Sequence, residues 1–125
     1  MDLELKGKNA LVTGSSKGIG YAIASQLHEE GCNVTINGRN KKSLESSISP
    51  FNERMNYCIA DVTDQIDCKK LIDNTIDHWG SIDLLVCNVG NGNSVQTGNE
   101  NLEEWKKVFF NNLFSTTNVI EALRK

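Results

Sequence analysis

The sequence predicts an α/β fold in which a parallel sheet lies between two layers of helices. Short apolar segments alternate with amphipathic segments along most of the 125 residues, and turns that contain glycine separate them. Strands that alternate with helices are joined by right-handed crossovers, which make the strands parallel and place helices on both faces of the sheet. The strand predicted over residues 82–87 supports this fold, because its centre is apolar at every position, as in a strand covered on both faces.

The first strand and the first helix enclose a loop that is rich in glycine. Residues 9–13 form a short apolar run that ends at Gly14, and the loop continues to Gly20. Apolar residues then recur at three- and four-residue spacing as far as Gly31, which is expected to cap the helix in the left-handed conformation. Residues 9–31 are therefore predicted as strand, loop and helix.

The alternation continues through the middle of the chain. A second strand is expected to be broken by Asn37 and Gly38, and a short polar helix to end before Pro50. Asp64 is predicted to cap a third helix, which Gly80 closes. The second strand is predicted at residues 32–36, the polar helix at residues 41–48 and a third strand at residues 55–60.

A loop rich in Asn and Gly precedes a long final helix. This helix is predicted to begin at Asn101, with Glu104 completing a capping box. Its apolar stripe is expected to face the core, and Trp79 and Trp105 are both expected to be core residues. The predicted stripe consists of Leu102, Trp105, Val108, Phe109, Leu113, Thr116, Ile120 and Leu123.

Composition excludes several classes of protein. The chain is long enough for a single small domain. It carries 13 Lys and Arg against 16 Asp and Glu, and this negative net charge disfavours a nucleic-acid binder. No apolar run approaches the roughly 20 residues of a membrane helix, and the N-terminus lacks a signal segment, so we expect a cytoplasmic protein. The four cysteines show no C-x-x-C spacing and are expected to be reduced, mostly buried thiols, with no metal site.

The glycine-rich loop is suited to binding a phosphate group. Gly14, Gly18 and Gly20 lie between a strand and a helix, where backbone can approach an anion closely and the free N–H groups of the helix point at it. The Gly-x-x-x-x-Gly-Lys-Ser/Thr motif of the P-loop, which binds nucleoside triphosphates, does not occur in this sequence. The alternative is a glycine-rich turn without a ligand.

Four motifs in order resemble those of the short-chain dehydrogenase/reductase family, which has a Rossmann-type fold. The first is Thr13 followed by Gly-x-x-x-Gly-x-Gly, and the second, Asp61-Val62, is similar to the pair that contacts adenine in that family. The third, Asn88-Val89-Gly90, resembles its Asn-Ala-Gly segment. The resemblance implies that these residues bind a dinucleotide, together with the loop residues Gly14, Ser16, Lys17, Gly18, Ile19 and Gly20.

The junction after the second strand predicts NADP(H) in preference to NAD(H). An NAD-binding fold usually has an acidic residue here for the ribose hydroxyls, whereas this chain has Arg39 and no Asp or Glu nearby. A guanidinium is suited to the 2′-phosphate of NADP, and Lys17 in the loop is expected to approach the same phosphate. The alternative is that both are ordinary solvated cations.

The fourth motif implies a catalytic residue. The segment that begins at Trp105 resembles the family's helix with a catalytic asparagine, and counting from Trp105 the match falls on Asn112 and not on Asn111. The resemblance implies an oxidoreductase that moves a hydride between the nicotinamide and a small carbonyl or alcohol. Such enzymes also use a Tyr-x-x-x-Lys pair for proton transfer, and neither Tyr21 nor Tyr57 has Lys four residues later.

We therefore expect residues 1–125 to be the N-terminal portion of a single dinucleotide-binding domain whose C-terminal catalytic half is absent. We then expect a sheet that is incomplete at its C-terminal side and a chain that is inactive alone, and the apolar surface left exposed predicts a homo-oligomer. A non-catalytic nucleotide-binding or assembly module of the same fold is the alternative. A flavodoxin-like or response-regulator domain is a weaker one, because the first strand ends in Thr13 and Gly14 and not in an acidic cluster.

Overall fold

The computed structural model describes residues 1–51, 53–91, 95–98 and 100–124. Over this part of the chain, four strands alternate with helices as the sequence predicts. The strands are β1 (Asn9–Val12), β2 (Asn33–Gly38), β3 (Met55–Ile59) and β4 (Leu84–Val86). The helices are α1 (Gly18–Glu29), α2 (Lys41–Ile48), α3 (Gln65–Trp79), α4 (Leu102–Phe109) and α5 (Ser115–Arg124). A π-helical turn, Phe110–Phe114, joins α4 to α5.

The strands form one parallel sheet in the order β3-β2-β1-β4. On one face, the sheet packs against α1 and α2 through a core that includes Val12, Val34 and Leu44. On the other face it packs against α3 and α5 through a core that includes Leu11 and Leu71. Alternate residues along each strand serve the two cores, and the three-layer, Rossmann-type α/β prediction is therefore confirmed.

The predicted helix caps are present. The side chain of Asp64 accepts a hydrogen bond from the N–H of Ile66 at 3.0 Å, and Asn101 accepts one from the N–H of Glu104 at 3.0 Å. Gly80 ends α3 with a φ of 93°, in the left-handed region that glycine enters without steric cost. None of the described helices is long and apolar enough to cross a membrane.

The second strand differs from its prediction, because it continues through Asn37 and Gly38. Asn37 is buried, and Gly38 pairs with Ile59 of β3 and accepts a hydrogen bond from the N–H of Ala60. The prediction that the strand ends before Asn37 was wrong. The Asn37 side chain has hydrogen-bond partners inside the protein, described below, and these stabilise a residue typical of turns within a strand.

The C-terminal part of the fold is more exposed than predicted. β4 is an edge strand, and its residues are half-buried and not covered on both faces. The apolar stripe of the last helix is also largely in solvent, with Trp105 at 42% and Phe109 at 46% exposure. The core prediction for Trp105 was therefore wrong, whereas Trp79 is half-buried and donates its indole N–H to the Thr35 hydroxyl.

Candidate dinucleotide site

A cleft of about 490 Å³ opens at the carboxyl ends of the strands. This edge of a parallel sheet is where open α/β folds bind their ligands. Every predicted dinucleotide-binding residue except Gly20 lines it. The lining residues are Gly14, Ser16, Lys17, Gly18, Ile19, Asn37, Gly38, Arg39, Ala60, Asp61, Val62, Thr63, Asn88, Val89, Gly90, Asn91 and Asn111.

The glycine-rich loop presents the start of α1 to this cleft. Gly14 and Gly18 have φ values of 57° and 66°, which favour glycine at both positions. Lys17, the N-cap residue, makes no side-chain hydrogen bond to the helix, and the first turn of α1 contains no acidic residue. The N–H groups and positive end of α1 are therefore available to an anion.

Gly20 lies behind the loop and allows its close packing. A Cβ atom at this position would be 2.4 Å from the carbonyl oxygen of Gly14 and 2.5 Å from Nδ2 of Asn88. That Nδ2 donates a hydrogen bond to the same carbonyl oxygen at 3.0 Å. Gly20 thus acts by letting α1 approach the loop, and it has no lining position in the cleft.

Asn37 joins the carboxyl ends of three strands, and the sequence did not identify this role. Its Oδ1 accepts a hydrogen bond from the N–H of Gly14 at 3.2 Å, and its Nδ2 donates to the carbonyl oxygens of Cys58 and Ala60. Its backbone N–H donates to the hydroxyl of Ser15. A buried amide with all these partners holds the loop in register with β2 and β3.

Arg39 and Asp61 face the cleft at the ends of β2 and β3. The Asp61 carboxylate accepts hydrogen bonds from the hydroxyl and the backbone N–H of Thr63, at 2.7 and 3.0 Å. These bonds, with the positive charge of Arg39, hold the pKa of Asp61 below its usual range. Arg39 and Lys17 are both exposed, so their charges are free to meet a ligand.

The segment after β4 closes the cleft beside the glycine-rich loop. The N–H of Asn88 donates to the Thr13 hydroxyl at 3.1 Å, which holds the segment against the end of β1. A Cβ atom added to Gly14 would lie 2.8 Å from Cγ2 of Val89, so the Val89 side chain packs closely on Gly14. Val89, which stands where the Asn-Ala-Gly segment has alanine, is therefore accommodated by packing on Gly14.

The two asparagines of the π-helical turn point in different directions. Oδ1 of Asn112 accepts a hydrogen bond from the N–H of Asn91 at 2.8 Å, and its Nδ2 donates to the carbonyl oxygen of Val108 at 3.0 Å. Asn112 thus ties the turn to the segment after β4. Asn111, and not Asn112, lines the cleft. Periodicity could not show this, because a π-helical turn shifts the rotation of successive side chains.

Neither tyrosine is part of the cleft. Tyr21 packs its ring edge-on against Phe51, with centroids 6.1 Å apart, and the Tyr57 hydroxyl lies 3.5 Å from a carboxylate oxygen of Glu45. Neither tyrosine is among the residues that line the cleft.

The cysteines also take no part in the cleft. Cys32 and Cys68 are buried, all four thiols are free, and burial raises the pKa of Cys68 to about 11. Across residues 1–51, 53–91, 95–98 and 100–124, no group of three His, Cys, Asp or Glu side chains could hold a metal ion.

Known proteins are similar in sequence to most of this chain. The profile of the short chain dehydrogenase family matches residues 8–125. An uncharacterized oxidoreductase of Staphylococcus epidermidis is 34% identical over 95% of this chain and 52% of its own length. Glucose 1-dehydrogenase 2 of Bacillus subtilis is 34% identical over 90% of this chain and 46% of its own length. The 3-oxoacyl-[acyl-carrier-protein] reductase of Rickettsia prowazekii is 36% identical over 70% of this chain and 35% of its own length. The chain thus spans about half the length, or less, of the curated relatives that it matches.

Proposed function

The chain belongs to the short-chain dehydrogenase family, and we propose that its 125 residues are the dinucleotide-binding part of an oxidoreductase that uses NADP(H) to interconvert a carbonyl and an alcohol. The observation that carries this proposal is the cleft itself. It gathers the glycine-rich loop, Arg39, Asp61 and residues 88–90 from four separate segments of the chain at one edge of the sheet. The names of two relatives, a glucose dehydrogenase and an oxoacyl reductase, support chemistry between alcohol and carbonyl groups.

The start of α1 supports binding of a pyrophosphate group. Its free N–H groups face the cleft, and Gly14 and Gly18 leave no side chain between the backbone and an anion. On this proposal the pyrophosphate lies against the loop, and Asn88 and Gly90 lie on the side of the nicotinamide ribose. The bound dinucleotide supplies or accepts the hydride.

The charges at the end of β2 support a preference for NADP(H). Arg39 lies within electrostatic reach of Asp61, and Lys17 lies in the same cleft on the loop side. A phosphate dianion between the guanidinium and the ammonium group forms charge-assisted hydrogen bonds that a ribose hydroxyl cannot form. No carboxylate occupies residues 37–40, where NAD-binding folds usually place one.

A titration of NADPH and of NADH into this chain, followed by calorimetry, tests the cofactor preference. Replacing both Lys17 and Arg39 by Ala is expected to weaken NADPH binding by about 10- to 100-fold, since two charge-assisted contacts from exposed side chains together contribute roughly 1.4–2.7 kcal/mol. NADH binding should change much less. Lys70→Ala, which removes an exposed cation from α3, is the matched control. Equal affinity of the double variant and the wild type for NADPH would contradict the proposal.

We propose that these 125 residues bind the cofactor without catalysing hydride transfer. A hydroxyl near pKa 10 must be adjusted towards neutrality to act as the acid or base, and neither tyrosine lies in the cleft or has the lysine that would do this. Asn112 stays a predicted catalytic residue, held by Asn91 and Val108. The expected outcome is NADPH binding with no consumption of NADPH in the presence of a panel of ketones and aldehydes. Steady turnover would overturn this part of the proposal.

A non-catalytic nucleotide-binding or assembly module is the second candidate. The apolar side chains exposed on α4 and the π-helical turn favour it, because large exposed apolar patches usually mark interaction sites. Dinucleotide binding without turnover agrees with both candidates. Coupling between NADPH binding and self-association, measured by light scattering with and without the ligand, would favour the module.

A further inference from the structure

Asn111 offers the cleft an amide that the protein itself does not use. In the described part of the chain, its carbonyl oxygen accepts a hydrogen bond from the Ser115 hydroxyl at 2.9 Å, and its side chain has no hydrogen-bond partner. The cleft amides of Asn37 and Asn88, by contrast, both donate to backbone carbonyl groups. Asn111 is half-buried, so its amide is partly withdrawn from solvent yet open to a ligand.

Two contacts fix where this amide lies. The Ser115 hydroxyl also lies 3.5 Å from the carbonyl oxygen of Val89, and Nδ2 of Asn118 donates to the carbonyl oxygen of Val62 at 3.1 Å. The start of α5 is therefore held against the segment after β4 and the segment after β3. Asn111, one turn before Ser115, lines the cleft between these two segments.

The part of the dinucleotide that reaches this place follows from the proposed function, on which this inference rests. The pyrophosphate lies at the glycine-rich loop and the 2′-phosphate at Arg39. The adenine ring is attached to the ribose that carries that phosphate, so it lies close to Arg39, among residues 61–63. Asn111 lines the same cleft as these residues.

We propose that the side-chain amide of Asn111 binds the edge of the adenine ring, with its oxygen accepting a hydrogen bond from the N6 amino group. An amide presents one acceptor and one donor in a plane, and the adenine edge presents a donor beside a ring-nitrogen acceptor. This makes Asn111 a binding residue that selects the base, whereas Asn112 holds the segment after β4.

A two-by-two binding experiment tests this contact. The chain and its Asn111→Ala variant are titrated with NADP and with 1,N6-etheno-NADP, in which a two-carbon bridge between N1 and N6 removes the amino group. We expect the wild type to bind the etheno compound about three- to tenfold more weakly than NADP, and Asn111→Ala to bind NADP more weakly by a similar factor. The variant should distinguish the two ligands by a clearly smaller factor than the wild type does, because only the contacts of residues 61–63 with the adenine ring remain.

Two further variants make the result specific. Asn111→Leu removes the hydrogen bonds without leaving a void and should behave as Asn111→Ala does, which excludes an effect of the lost volume. Thr117→Ala, on the exposed side of α5, should keep the wild-type preference. A preference for NADP that stays as large as that of the wild type in both Asn111 variants would overturn the inference alone, and so would an equal loss for both ligands. A wild-type chain that binds neither NADP nor NADPH would instead refute the proposed function, and this inference with it.

Discussion

At the scale of single residues, the cleft depends on side chains that are absent as much as on those present. Gly20 allows the first turn of α1 to lie directly on the loop, and Asn88 donates to the carbonyl oxygen of Gly14 across that contact. Asn111 and Asn112 are adjacent in the chain but differ in their contacts. The Asn112 side chain binds the N–H of Asn91, whereas in the described residues Asn111 is hydrogen-bonded through its backbone carbonyl and not through its side chain. The function of each residue is thus decided by what lies within a few ångströms of it.

Gly20→Ala is expected to lower the free energy of unfolding by about 1–3 kcal/mol, because the new methyl group would meet a backbone carbonyl oxygen at 2.4 Å and force the loop to move. Urea unfolding followed by circular dichroism measures the change. Gly90→Ala is the matched comparison, since its Cβ would meet only the end of the Asn112 side chain, at 2.9 Å, which can shift. A larger loss for Gly90→Ala than for Gly20→Ala would contradict this account.

At the scale of elements, α3 supports the site through its first turn. Asp64 caps the helix, and the Asp67 carboxylate accepts a hydrogen bond from the backbone N–H of Asp61 at 2.8 Å. The position of the Asp61 carboxylate therefore depends on where α3 begins. The π-helical turn has a corresponding effect on the other side, where it holds the segment after β4 through Asn112.

Asp64→Ala should lower the free energy of unfolding by about 1 kcal/mol, because it removes the side-chain acceptor of the Ile66 N–H at the start of α3. The midpoint of thermal unfolding reports the loss. Asp77→Ala, near the C-terminal end of the same helix, removes a negative charge that the helix dipole disfavours, so it should be neutral or slightly stabilising. Equal destabilisation by both variants would show that the cap contributes nothing specific.

At the scale of the whole molecule, α4 and the π-helical turn expose a group of large apolar side chains to solvent. Trp105, Phe109 and Leu113 follow one another at four-residue spacing, and each is more than 40% exposed. Phe110 and Phe114 extend the same region, with their rings 5.1 Å apart. The edge strand β4 adds unpaired backbone groups, which is a second tendency towards association.

We therefore expect the chain to self-associate as its concentration rises, because association removes this apolar surface from water. Light scattering after size-exclusion chromatography measures the mass. Replacing Trp105 and Phe109 by Lys should shift the chain towards the monomer, whereas Leu3→Lys, at an apolar side chain exposed elsewhere, should not. A stable wild-type monomer at high concentration would contradict the prediction.

The sequence by itself determined the features whose causes are local. Apolar runs, the capping residues Asp64 and Asn101, and the glycine that ends α3 act within four residues of themselves, so their pattern predicts the order of elements and the parallel sheet. The position of the glycine-rich loop between a strand and a helix likewise predicted a phosphate-binding loop, whereas the resemblance to the short-chain dehydrogenase/reductase family implied Asp61, Val62 and residues 88–90.

Only the tertiary structure decided the features that depend on distant partners. Asn37 is typical of a turn, but partners 21 to 23 residues away hold it inside β2. The rotation at the π-helical turn directs Asn111 into the cleft, and the exposure of Trp105 depends on which elements cover α4. A side chain's environment is set by the segments that fold against it, and periodicity along one segment carries no information about those.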